Sequence, residues 1–124
     1  MYLDTHVVVW LFAGRIALFP TAARGLLETN DLYVSPIVVL EIEYLFEIRR
    51  ISQPCSTVLE SLQREVGLRV CDLPFPRVIE AARKQTWTRD PFDRIVVGQA
   101  ALRGAPLLTS DLSIRHHYAS ATWD

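Results

Sequence analysis

Asp90 and Asp93 stand three residues apart in Arg89-Asp90-Pro91-Phe92-Asp93-Arg94, ahead of the apolar run Ile95-Val96-Val97-Gly98-Gln99-Ala100-Ala101-Leu102. An aspartate before a proline is the order of a helix N-cap followed by the first helical position, so a helix is expected to start at Pro91. That accounts for Asp90. Asp93 lies one turn inside the helix, on the side of Val97 and Ala100, and so points toward the core. A carboxylate aimed into apolar surroundings is costly unless a cation meets it.

Glu41 poses the same problem. Ser35-Pro36 repeats the cap-then-proline signal, and the helix that follows places Ile37, Tyr44, Leu45 and Ile48 on one face, with Glu41 in its middle. Asp4 and Asp111 each follow a short apolar stretch that reads as a strand. Three of these acids also have plain structural readings: Asp4 as a helix cap, Asp111 as a turn or cap residue, Asp93 as a helix-dipole acid paired with Arg94. Glu41 has none, since neither caps nor dipoles explain a carboxylate in mid-stripe.

As a set, converging carboxylates repel one another unless a cation neutralises them. Lys84, the only lysine, falls on the preceding helix, while Arg89 and Arg94 are within reach of Asp90 and Asp93. Oxygen ligands with no Cys or His cluster suit Mg2+ or Mn2+. Such an ion is fitted to phosphate chemistry, because it polarises a phosphoryl oxygen and lowers the pKa of a bound water.

The elements that must position these acids follow from the chain in order. Met1-Tyr2-Leu3 is a strand, and Asp4-Thr5 caps a helix through Phe12. Gly14 to Pro20 is a loop. A helix spans Thr21 to Asn30, with Thr21 as cap and Leu26 and Leu27 inward, and Leu32-Tyr33-Val34 is a strand ending at Ser35. After the Pro36 helix and a polar connection from Arg49 to Gln53 comes a helix from Pro54 to Val66, with Val58, Leu59, Leu62 and Val66 inward and Gly67 as its stop. Leu68 to Cys71 is a strand and Phe75 to Trp87 a helix. The Pro91 helix stops at Gly104, Pro106 to Leu108 is a strand, Leu112 to His116 a helical turn, and Ala119 to Trp123 a last extended piece. Short apolar strands alternating with helices indicate an α/β fold, a three-layer sandwich around a mainly parallel sheet, over residues 1–124 as one domain. In such sheets ligands bind beyond the carboxyl ends of the strands, where Asp4, Ser35 and Asp111 should lie.

Composition sets bounds. Half of the 124 residues are hydrophobic, which suits a globular chain and excludes a disordered one. The formal net charge is −1, from 13 basic and 14 acidic side chains, so no general affinity for nucleic acid is announced. Cys55 and Cys71 lack metal-ligand or redox spacing and read as reduced thiols. No run is long enough to span a bilayer, and Val7 to Phe12 lacks a basic leader, so a cytoplasmic protein is the expectation.

Four stretches together resemble the PIN domain: Tyr2-Leu3-Asp4-Thr5-His6, Ser35-Pro36-Ile37-Val38-Val39-Leu40-Glu41, Arg89-Asp90-Pro91-Phe92-Asp93-Arg94 and Leu108-Thr109-Ser110-Asp111. The chain is most similar to the toxin component of VapBC-type toxin–antitoxin pairs. The resemblance implies a metal-dependent endoribonuclease in which Asp4, Glu41, Asp93 and Asp111 match the metal-binding acids and Mg2+ or Mn2+ is the cofactor. Thr5, Ser35 and Thr109 sit beside those acids and serve as hydroxyl partners or as caps. It further implies an RNA substrate, a homodimer and an antitoxin partner that covers the RNA groove. Arg15, Arg49, Arg50, Arg89, Arg94 and Arg115 are candidate phosphate contacts. If a dimer gathers arginines around a groove, RNA binding should weaken steeply with salt.

Three other readings compete. A catalytically silent PIN-like module would bind RNA or protein without needing all four acids. A haloacid-dehalogenase-like phosphatase also starts with an aspartate after the first strand, but wants a second two residues on, where this chain has His6. A phosphoacceptor receiver domain wants a lysine after a late strand, and Leu107-Leu108-Thr109-Ser110 has none.

Overall fold

The computed structural model describes all of residues 1–124. Five short strands form one sheet: β1 (Tyr2–Leu3), β2 (Tyr33–Val34), β3 (Arg69–Val70), β4 (Leu107–Leu108) and β5 (Ala121–Thr122). Every pairing is parallel and the order is β3-β2-β1-β4-β5. The helices are α1 (Thr5–Phe12), α2 (Thr21–Thr29), α3 (Pro36–Glu47), α4 (Cys55–Val66), α5 (Phe75–Arg83), α6 (Pro91–Leu102) and α7 (Leu112–His117). The expected α/β architecture is therefore present, with a sheet that is wholly rather than mainly parallel. No helix is long and apolar enough to cross a membrane.

The strand order decides where a site can form. The chain steps from β1 outward to β2 and β3, then returns to lay β4 on the other flank of β1. The direction of winding thus reverses between β1 and β4, which opens a crevice beyond their carboxyl ends. Tyr2, Leu3, Leu107 and Leu108 are almost fully buried, so the two strands that flank the crevice are also the centre of the core. The Asp4 N–H donates to the Leu108 carbonyl at 3.1 Å and carries the pairing one residue beyond β1.

Local signals end and begin the helices as chemistry requires. Asp4, Ser35, Asp90 and Asp111 are side-chain N-caps, and Pro36 and Pro91 occupy first helical positions. Gly67 closes α4 in the left-handed region, at φ +69°. Two faces differ from expectation. On α3 the buried residues are Val38 and Ile42, while Tyr44 and Ile48 are exposed. Nine of its twelve residues are apolar, so periodicity alone does not choose the inward side. On α4, Val58 and Leu62 are buried but Val66, in the last turn, is exposed. The helix expected over Phe75 to Trp87 ends at Arg83, and Ile16–Leu18 form a 3-10 turn inside the expected Gly14 to Pro20 loop.

The register of α6 depends on Gly98. A Cβ there would stand 2.7 Å from the Ala82 nitrogen and 2.8 Å from its Cα. Backbone on α5 cannot move aside as a flexible side chain can, so only glycine admits this approach. We expect Gly98→Ala to cost about 1–3 kcal/mol by forcing α5 and α6 apart. Urea unfolding checks it: the midpoint should fall with little change in slope. An unchanged midpoint would show that the two helices separate freely.

Candidate active site

One cavity of about 320 Å³ lies at the crevice, lined by Asp4, Thr5, His6, Val9, Trp10, Glu41, Leu45, Arg50, Ile51, Asp93 and Asp111. All four acids singled out in the sequence line it. They come from four places: the end of β1, the second turn of α3, the first turn of α6 and the cap of α7. Asp90 is not among the lining residues. It is exposed and accepts from the Phe92 and Asp93 N–H groups at 2.8 and 3.3 Å, the capping role expected of it.

Asp4 is held from several sides. It is 6% exposed. Its Oδ1 accepts from the Thr5 N–H at 2.8 Å, and its Oδ2 from the Thr109 hydroxyl at 2.7 Å. The Thr109 oxygen in turn accepts from the Asp111 N–H at 3.0 Å, and Asp111 Oδ1 accepts from the Ile114 N–H at 2.9 Å. Thr109 therefore ties the acid after β1 to the acid after β4. The structural readings of Asp4 and Asp111 as caps are right, and both acids reach the cavity as well.

His6 is a member that sequence reasoning missed. Its Nε2 accepts from the Ser110 N–H at 3.1 Å, which leaves the ring proton on Nδ1 when the ring is neutral. That nitrogen lies 3.5 Å from Asp4 Oδ2. Burial holds the imidazole below its usual pKa, against the pull of the Asp4 and Asp111 charges. A signal was available: a histidine two residues after the capping Asp4 shares the first turn of α1 with it.

No arginine or lysine lies within ion-pair distance of Asp4, Glu41, Asp93 or Asp111. Arg94, which the sequence offered as partner or phosphate contact, turns away. Its guanidinium donates to the Ala82 and Arg83 carbonyls at 3.2 and 3.0 Å, closing the last turn of α5. Arg115 pairs with Asp124, and Arg89 donates to the Thr86 carbonyl. Arg50 alone among the arginines lines the acidic cavity. With Arg15 and Arg49 it also lines an adjoining groove of about 1100 Å³, walled by Trp10, Phe12, Phe46 and Val58.

Burial and neighbouring charge show in the titration of two of the acids, Asp93 and Glu41. Burial, then the charges of Asp90, Asp4, Asp111 and Glu41, push the Asp93 carboxyl up to about 7. Burial also raises Glu41; Asp4 and Asp90 add to the shift, and the nearby Thr5 hydroxyl offsets part of it. That hydroxyl is itself buried without a hydrogen bond of normal geometry.

These residues fit a divalent cation. The four acids offer oxygen donors, no lysine or arginine is in ion-pair contact with them, and Thr5 contributes an orphaned buried oxygen. No three His, Cys, Asp or Glu side chains close tightly enough to hold one ion directly. A hydrated divalent ion needs only one or two carboxylates as direct ligands.

The raised Asp93 carboxyl, which owes most to burial and the rest to its neighbours' charges, has a direct consequence for stability. Asp93 has an ordinary pKa of 3.8 and is raised to about 7 in the folded chain. The folded state therefore keeps a proton that the unfolded chain releases, and stability falls as pH rises from about 4 to 7. In chelator at pH 8, Asp93→Asn should melt a few degrees above wild type, with the gain gone by pH 4. Equal melting temperatures at both pH values would show that Asp93 feels no such field.

Comparison with known proteins agrees with this geometry. The family model for the PIN domain matches residues 1–119. Ribonuclease VapC22 of Mycobacterium tuberculosis is 31% identical over 121 residues, covering 93% of this chain and 89% of the relative. Among solved structures, that of VapBC2 from Rickettsia felis bound to a DNA fragment from their promoter contains a chain with the same fold. It superposes with a TM-score of 0.62 at 16% identity, over 99% of this chain and 98% of that one. The chain belongs to the PIN domain family.

Proposed function

We propose that this chain is an endoribonuclease that uses Mg2+ or Mn2+, with residues 1–124 as one domain, and that it is the toxin of a type II toxin–antitoxin pair in the cytoplasm. The observation that carries the reading is the meeting of Asp4, Glu41, Asp93 and Asp111 in one cavity with no lysine or arginine paired to them. The likeness to a ribonuclease over nearly the whole chain supports the substrate class.

Each part of the chain has a definable task in that chemistry. When bound, a divalent cation supplies neutralisation of the scissile phosphate and a water of lowered pKa. Asp4, fixed by Thr5 and Thr109, is a prepared ligand with little freedom to lose. Asp93, whose carboxyl burial and its acidic neighbours raise to about 7, would hold a cation in its ionised form. Trp10, Val9 and Ile51 wall the cavity and limit the water that reaches it. Phosphates on either side of the cut bond meet Arg50, then Arg15 and Arg49 along the adjoining groove. The apolar walls of that groove also suit an antitoxin segment, which would exclude RNA by occupying it. Leu40 and Tyr44 on α3 and Ile48 at its C-terminal cap, exposed at four-residue spacing, offer an apolar face for a homodimer.

The test is cleavage of an RNA panel by the purified protein. We expect cutting with Mg2+ or Mn2+, loss of cutting in chelator, and a fall of about 100-fold or more in Asp93→Asn, the scale of losing one electrostatic stabiliser. Wild type and variant leaving the panel equally intact would overturn the enzyme reading and favour a silent binding module.

A further inference from the structure

Gln99 is wholly buried, yet it lines neither cavity and no step of the proposed chemistry uses it. It lies on α6, six residues after Asp93. Its Oε1 accepts a hydrogen bond from the Ser35 hydroxyl at 2.6 Å. The same hydroxyl oxygen accepts from the Ile37 N–H at 3.3 Å, which makes Ser35 the cap of α3. Glu41 lies on α3, six residues after Ser35.

These spacings form a frame. At about 1.5 Å per helical residue, Gln99 to Asp93 and Ser35 to Glu41 each span about 9 Å. Gln99 meets Ser35 at one end, and Asp93 shares the cavity with Glu41 at the other. The two helices therefore run in opposite senses along their contact, joined at one level by a buried hydrogen bond. Around that bond α6 offers mainly small or aliphatic residues, Val96, Val97, Gly98 and Ala100. Apolar contacts of that kind attract without direction, and the close Gly98 approach sets α6 against α5 and not against α3. A buried polar bond opposes sliding of α6 along α3, because a shift would strand both partners without water.

The other half of the amide makes the choice of residue informative. Gln99 Nε2 is buried without a hydrogen bond of normal geometry, and Cys71, beside the amide, offers it only a weakly accepting sulfur. A methionine would fill similar space without that penalty, so glutamine here is poorly explained by stability alone.

We propose that Gln99 is a positioning residue of the acidic site: its bond to Ser35 fixes α6 against α3 and so sets Asp93 against Glu41 across the cavity. The inference rests on the metal-nuclease reading above. Its test compares wild type, Gln99→Met, Ser35→Ala, the double variant, and Leu62→Ala as a control whose buried side chain lies on α4 and lines neither cavity. Free Mn2+ is followed by electron paramagnetic resonance during titration, RNA cleavage is measured on the same samples, and urea unfolding records stability.

Each single variant should need about 10-fold more Mn2+ for half-saturation, the scale seen when a ligand's supporting contact is lost. Cleavage should fall with it. The double variant should be no worse than either single one, since both remove the same bond. Leu62→Ala should lose stability while keeping wild-type Mn2+ binding. Variants that bind Mn2+ as wild type does, a rise that Leu62→Ala shares, or effects that multiply in the double variant would each overturn the positioning role alone. Wild-type protein that neither binds Mn2+ nor cuts RNA would overturn the nuclease reading and this inference with it.

Discussion

Asp4, Glu41, Asp93 and Asp111 gain nothing from one another. Burial first, and then the charges of neighbouring acids, raise the cost of ionising Asp93, and the same two causes act on Glu41. Something other than their own interactions must hold them there. The source is the apolar centre directly beneath: β1 and β4, buried side by side, end together at the crevice and deliver Asp4 and Asp111 to it. Burial of side chains such as Leu3, Leu107 and Leu108 contributes on the order of 1.5–3 kcal/mol each, enough to offset an unfavourable edge. The site is thus a place where the fold spends stability that the core supplies, and where a bound cation would return it.

The two acids at the switch point do double duty. Asp4 starts α1 and Asp111 starts α7, so each satisfies backbone N–H groups at a helix end while presenting its remaining lone pairs to the cavity. The Thr109 hydroxyl, 105 residues along the chain from Asp4, joins them. Capping therefore prepares the site: the same hydrogen bonds that begin the helices fix the carboxylates in place. Asp90 shows the contrast, a cap that faces solvent and acts on the cavity only through its charge.

Much of this was legible in the sequence, for local reasons. Cap-then-proline pairs at Ser35-Pro36 and Asp90-Pro91 mark helix starts because they rest on neighbouring residues alone. Alternation of apolar strands with helices shows the parallel sheet, and strand-ending acids place Asp4 and Asp111 at its carboxyl edge. What failed was decided by tertiary contacts. On α3 nearly every position is apolar, so the buried pair Val38 and Ile42 is selected by what packs against it, and Tyr44 and Ile48 are left outside. Arg94 sits beside Asp93 in sequence, but its guanidinium reaches the α5 carbonyls instead. His6 and Gln99 were visible as polar residues in apolar runs; their meaning depends on Ser110 and Ser35, 104 and 64 residues away.

We infer that the repelling acids are reconciled by a divalent cation they hold in common. Anomalous scattering from a crystal of the protein soaked in MnCl2 addresses it without recourse to activity. We expect a manganese peak inside the cavity bounded by Asp4, Glu41, Asp93 and Asp111, with waters completing its coordination. A fully soaked crystal with no peak there, or with manganese bound only elsewhere on the surface, would contradict it.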